Sequence, residues 1–167
     1  MGDSNTLSEQ KSSGAIQKYL SFSLGNEEYA VPLLGVREVI AIPDITPVPH
    51  TPPHFLGMMN LRGQVISVID LRLKFNIKAE KTAETSVIIF DLATSALGVV
   101  INSVNSVLPL DSANIAPRPE IQSYKSTEYI TGVSKHDNKL ILLLDINKAL
   151  SIEEHVAISK VMAKTAA

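Results

Sequence analysis

Apolar and polar residues alternate near the start of the ordered-looking chain. Leu20, Phe22 and Leu24 are separated by Ser21 and Ser23, a turn follows at Gly25-Asn26, and Tyr29 and Val31 resume the pattern. A period of two predicts a half-buried strand, a tight turn and a return strand. Residues 86–101 repeat the arrangement, with a strand, a polar turn and a second strand. Placing Phe22 on Phe90 also places Leu20 on Ile88, Leu24 on Leu92, Val31 on Val99, Leu33 on Ile101, Val36 on Val104, Val39 on Val107 and Ile42 on Leu110, an offset of 68 throughout. Further along the offset becomes 75, with Gly57 on Gly132, Asp70 on Asp145, Leu71 on Ile146 and Phe75 on Leu150. The chain therefore contains two self-similar halves, each a run of short strands broken by Gly, Pro and Asn.

Short strands at this spacing predict an all-β protein of barrels or sandwiches, and the two halves, roughly residues 19–75 and 86–150 joined by the polar residues 76–85, each have the size of a small barrel. Units of about sixty residues bury little surface alone, so the two are expected to share a hydrophobic core. Asp70 and Asp145 each follow an apolar run and are placed to cap a short helical turn. Residues 1–17 read as a flexible tail. Ser151 and Glu154 fit a capping box that opens a C-terminal helix within residues 151–167. Prolines concentrated between Ile42 and His54 predict a stiff, extended loop.

Composition narrows the function. Hydrophobic residues make up 45% of the 167-residue chain and charged residues 19%, enough to build a core, and the net charge of −2 offers no basic field for nucleic acid. Without cysteine there is no thiol chemistry and no disulfide. No apolar run approaches the length of a membrane span, so direct membrane insertion is not expected. His50 and His54 have the spacing of metal ligands on a helix, but Pro52 and Pro53 between them prevent that helix, and no metal or other cofactor is expected. His136-Asp137-Asn138 reads as a hairpin turn. Neither a GxSxG elbow nor a glycine-rich phosphate loop is present. The adjacent carboxylates Glu27-Glu28 and Glu153-Glu154 read as solvated faces, so the expectation is a protein that is not an enzyme. What remains is surface. Arg62 stands in a glycine turn and has a charge opposite to that of Glu38, which suits either a salt link that fixes a loop at the sheet mouth or an arginine that such a link orients for a partner.

Residues 19–39 (YLSFSLGNEEYAVPLLGVREV), 60–75 (NLRGQVISVIDLRLKF) and 126–133 (STEYITGV) resemble the CheW-like domain family of bacterial chemotaxis. The resemblance covers residues 19–150, and the NLRG segment followed by a hydrophobic strand and Asp-Leu-Arg is its most specific part. The family includes stand-alone adaptors, the regulatory domain of the histidine kinase CheA and the adaptor half of CheV. This chain shows no kinase or receiver motif and is most similar to the stand-alone form. The resemblance implies two intertwined five-stranded SH3-like barrels and a cytoplasmic scaffold, monomeric when free. Such a scaffold is recruited to inner-membrane receptor arrays, where it couples the helical hairpin tip of chemoreceptors to CheA.

By position, Val36, Glu38, Gly57, Met58, Arg62, Val87 and Ile88 match the receptor-facing set. Val36 and one of the adjacent pair Val87 and Ile88 would be outward apolar anchors, with Arg62 the polar fix and Gly57 permitting close approach. Ile40, Ala41, Ile42, Asp44, Ile45 and Val48 match the kinase-facing stretch. A further contact, one that closes rings of adaptor and kinase, uses the loop at Ala116, Arg118 and Ile121. Many relatives carry a basic residue and an aromatic at the positions of Ala116 and Ile121, and here the basic residue is Arg118 instead. An adaptor of a different receptor array, or a small-molecule-binding barrel with a deep polar pocket, stands as the alternative.

Overall fold

The computed structural model describes residues 14–93, 95–117 and 129–150. The expected C-terminal helix, Arg118 and Ile121 lie outside these residues.

Ten strands form two five-stranded sheets. In chain order they are β1 (Ile16–Leu24), β2 (Glu27–Pro32), β3 (Val36–Ala41), β4 (Phe55–Leu61), β5 (Gln64–Asp70), β6 (Ser86–Asp91), β7 (Ala96–Ile101), β8 (Ser103–Asp111), β9 (Ile130–His136) and β10 (Lys139–Leu144). One-turn helices α1 (Leu71–Lys74) and α2 (Ile146–Ala149) follow β5 and β10. Strand β1 begins at Ile16, slightly inside the segment read as tail.

The first sheet has the order β8-β1-β2-β10-β9 and the second β3-β6-β7-β5-β4. Advancing each first-half strand to its second-half counterpart converts one order into the other. The residue registers follow suit: Leu20 pairs with Val31 as Ile88 pairs with Val99, and Leu142 lies beside Tyr29 as Ser67 lies beside Leu97. The segments 19–75 and 86–150 thus do not each enclose one sheet. Each half contributes an antiparallel β1–β2 or β6–β7 pair to one sheet and three strands to the other, joined by the parallel contacts β2·β10 and β5·β7. Isolated bridges close the sheets into barrels. Thr46 pairs with Met58 on β4, and Ala116 pairs with Val133 on β9.

Three clusters make the core. Met59, Ile66, Val68, Val87, Ile89, Ala96 and Val100 fill the second barrel, while Tyr19, Ala30, Leu108, Leu110, Ile141 and Leu143 fill the first. The largest cluster lies between the barrels and draws on both, including Leu20, Phe22, Val31, Ile69, Ile88, Phe90, Val99 and Leu144. Strands β1 and β6 are therefore buried on both faces. Ser21, expected on a solvent face, is fully buried, and its hydroxyl lies 3.2 Å from both the Ser106 carbonyl and the Ser106 hydroxyl.

Local chemistry fixes the chain reversals. The Asp70 carboxylate accepts from the Arg72 amide and the Asp145 carboxylate from the Asn147 and Lys148 amides, so both cap their helical turns as expected. Arg62-Gly63 and Asp137-Asn138 join the β4–β5 and β9–β10 hairpins with positive φ at both central residues, the backbone that matches strand twist. Arg72 is buried. It forks onto Asp70 at 3.0 and 2.9 Å and donates to the Glu80 carbonyl at 2.8 Å, tying the connecting segment to α1.

Candidate protein-docking site

Strand β3 is an edge strand whose residues alternate between half-buried and exposed. It carries a bulge, because the register against β6 shifts between Val36 and Glu38. A bulge re-aims side chains and bends the strand. Here it places Arg37 over the end of β6, where its Nε donates to Asp91 at 2.9 Å and its Nη1 to Gln64 at 3.0 Å. Glu38 turns the other way, toward the β4–β5 hairpin.

Arg62 occupies that hairpin turn at φ 52°, a left-handed conformation in which Asn or Gly would be unstrained. The Asn60 side chain steadies the turn by accepting from the Gly63 amide at 2.9 Å. From this position both terminal nitrogens of Arg62 donate to Glu38, at 2.7 and 2.8 Å. The planar fork matches the carboxylate, so the head of the arginine is oriented rather than free to sweep. The Arg62 hydrogen bonds, opposed by partial burial and aided by charge, hold the Glu38 carboxyl below its ordinary pKa, and Glu38 in turn raises that of Arg62. The Arg62 side chain is 72% exposed against 22% for Glu38. The pair therefore displays a fixed guanidinium to solvent.

The barrels provide an internal control. Across the repeat, Glu38 corresponds to Ser106 and Arg62 to Asp137, and the bulge recurs in the β1–β8 register beside Asn105, the counterpart of Arg37. The first barrel folds with Ser106 and Asp137 at the positions of Glu38 and Arg62 and so without a charged fork there, so the fold itself does not require one.

The other receptor-set residues fare differently. Val36 opens β3 and packs half-buried on the core between the barrels; Met58 is half-buried in the middle of β4. Gly57 also lies within β4 rather than near a turn. Its φ is 141°, and a Cβ there would stand 2.0 Å from the Thr46 carbonyl oxygen, so it admits a segment of this chain rather than clearing space for a partner. Val87 and Ile88 are both fully buried, which corrects the expectation that one faces outward. Alternation holds, but β6 is covered on both sides: Val87 points into the second barrel and Ile88 into the core between barrels. Leu34, 90% exposed on the one-turn 3₁₀ helix before β3, is an apolar neighbour that the strand patterning passed over.

The stretch matched to the kinase runs off β3 across the end of the second barrel. Ile40, Ile42 and Ile45 pack half-buried on the barrel interior and Val48 on the shared core, while Ala41 and Asp44 are exposed. The isoleucines thus plug the barrel as well as line an edge. Ala116, exposed beside the Val133 bridge, holds the corresponding place on the first barrel.

Among the described residues no group of three or more His, Asp or Glu side chains converges as a metal site, and no helix is long and apolar enough to cross a membrane.

The comparisons with known proteins agree with this architecture. The chemotaxis protein CheW of Klebsiella aerogenes is 37% identical over 146 residues, spanning 87% of this chain and 88% of that one. The chemotaxis protein CheW of Helicobacter pylori is 32% identical over 144 residues, 86% and 87% of the two chains. The crystal structure of the scaffolding protein TtCheW from Thermoanaerobacter tengcongensis superposes with a TM-score of 0.73 at 33% identity, covering 78% of this chain and 90% of that one. The family model for the CheW-like domain matches residues 18–154, so a chain built from two strand-exchanged barrels, with one charged fork at one mouth, belongs to the CheW-like domain family.

Proposed function

We propose that this protein is a non-enzymatic chemotaxis adaptor that couples chemoreceptors to a CheA-type histidine kinase and so regulates the kinase in signalling arrays. The observation that carries the reading is the Glu38–Arg62 fork. It occupies one of two equivalent barrel mouths, it is held on a turn whose backbone disfavours arginine, and the sister barrel folds without it. Both equivalent turns are left-handed, but only this copy keeps an arginine there rather than the Asp and Asn that suit such a turn, which supports a recognition role for this surface.

The receptor's helical hairpin tip docks beside this fork. Arg62 supplies the polar fix, and Val36, Met58 and Leu34 supply apolar contact. Gly57 serves indirectly, by seating the chain at Thr46. Val87 and Ile88 support the site from the core. The kinase regulatory domain docks on the adjoining end of the second barrel, reading Ala41 and Asp44 against the Ile40, Ile42, Ile45 and Val48 ridge. The loop at Ala116, Arg118 and Ile121 makes the ring-closing contact. The free protein is a cytoplasmic monomer recruited to inner-membrane arrays through these contacts.

A three-way sedimentation assay with receptor-bearing membranes and the kinase tests this. Wild type brings the kinase down with the membranes. Arg62→Asn, which suits the turn, remains folded by circular dichroism but loses receptor-dependent sedimentation. A folded wild type that binds neither partner overturns the reading. An Arg62→Asn protein that couples normally removes Arg62 from the interface.

A further inference from the structure

The mouth of the first barrel, equivalent to the one that carries the fork, opens into a cleft of about 580 Å³ lined by Ser23, Asn26, Glu27, Glu28, Asn105 and Lys139. The repeat relates these residues to the surroundings of Arg37 in the second barrel. There the Arg37 guanidinium bridges the Asp91 carboxylate and the Gln64 amide oxygen. In the first barrel Asn105 stands for Arg37, Ser23 for Asp91 and Lys139 for Gln64.

The carboxylate has not disappeared. It has moved across the strand pair. Asp91 faces Ala96 in the β6–β7 register, whereas Ser23 faces Glu28 in the β1–β2 register. Asn105 reaches both, donating to the Ser23 hydroxyl at 3.1 Å and to Glu28 at 3.3 Å. A neutral amide thus stands where the sister barrel puts a cation. Glu27 adds a second carboxylate, and among the described residues neither glutamate pairs with Lys139 or any other cation. Beside them Leu140 is 61% exposed and offers apolar surface for an aliphatic stem.

We propose that this cleft receives an arginine side chain presented by another protein, its guanidinium seated between Glu28 and Asn105 where the second barrel seats its own Arg37. A guanidinium suits the place because it can fork onto a carboxylate and still donate to the neighbouring hydroxyl and amide oxygens. The surface lies on the first barrel, apart from the receptor surface and the main kinase surface assigned to the second.

The probe is the blocked tripeptide acetyl-Gly-Arg-Gly-amide, titrated into the ¹⁵N-labelled full chain. Its neutral isostere, with citrulline for arginine, is the control. Saturable shifts are expected at the amides of Gly25, Glu27, Glu28, Asn105 and Leu140, with none from citrulline. Glu28→Gln weakens binding by about tenfold or more, the loss expected of one charged hydrogen-bond partner. Asn105→Arg, which returns an intramolecular guanidinium, abolishes it. Dispersed spectra of both variants report intact folding. Absence of saturation, equal binding by citrulline, shifts centred elsewhere, or an unchanged affinity in Glu28→Gln would each overturn the assignment.

Discussion

Gly57 and Thr46 approach so closely that a single methyl group on Gly57 would meet the Thr46 carbonyl oxygen at 2.0 Å. Thr46 makes, and Gly57 adjoins, the paired backbone hydrogen bonds with Met58, at 2.8 and 2.9 Å, that bring the proline-rich segment onto β4. Gly57→Ala is expected to lose on the order of 2–4 kcal/mol, combining the clash with a φ open chiefly to glycine. Urea unfolding measures the loss. Hydrogen exchange at the Thr46 and Met58 amides should rise more than exchange in β1, because the damage is local to the bridge.

Among the described residues Arg72 is a buried cation, and its removal should harm the fold. Both side chains of the Asp70–Arg72 pair are 4% exposed, so Arg72→Met strands a buried carboxylate. The expected cost is about 3–5 kcal/mol in chemical denaturation. Adding Asp70→Asn should recover part of it, since the amide oxygen still caps α1 while the unpaired charge is gone. A double variant as unstable as Arg72→Met alone would show that the tie to Glu80, rather than charge compensation, dominates.

Acid and alkali act on different places. Glu38 has a lowered folded pKa, set chiefly by the Arg62 hydrogen bonds, so the fork's contribution is present above the unfolded value of about 4.3 and fades as pH falls through the folded pKa. The Glu38 carboxyl carbon, followed by NMR, should titrate below the unfolded range in wild type and move back up in Arg62→Asn. Tyr29 and Tyr129 have raised pKa values, from burial in both cases and, for Tyr29, from nearby Tyr129 and Glu27 as well. Their contribution is intact below about pH 10 and is lost as pH rises through the folded values. Stability measured from pH 8 to 11 should fall in wild type and fall less in Tyr129→Phe.

Phe75 and Tyr129 stack with ring centroids 4.6 Å apart and planes 6° from parallel, one from each half of the repeat. A double-mutant cycle with Phe75→Leu and Tyr129→Leu should return a coupling of about 0.5–1.5 kcal/mol. A coupling near zero would mean that the rings contribute only through burial.

Much of this architecture is legible in the sequence because it is local. Alternation marks β1 and β2, Asp70 and Asp145 announce the caps, and the offsets of 68 and 75 carry over residue by residue into the strand registers. The opposite charges of Glu38 and Arg62 are visible too. What stays hidden is non-local. Similar halves say nothing about which strands pair, and the parallel contact of Leu142 with Tyr29 joins residues from opposite ends of the chain. The burial of both Val87 and Ile88 depends on a second barrel behind β6, which no window around those residues contains. Gly57 reads as a clearance for a partner until Thr46 is seen to fill it.

The exchange of strands also governs how the protein is made. Strand β2 acquires its inner neighbour only when β10, the last of the described strands, reaches it, and β5 waits for β7. A ribosome releasing the first half therefore exposes two incomplete edges rather than a finished module, and long-range closure of this kind is slow. Cutting the chain in the connecting segment near Lys81 would not yield two independent barrels. It would yield two obligate fragments, each soluble only as far as the other is present, and reassembly would become second order in their concentrations.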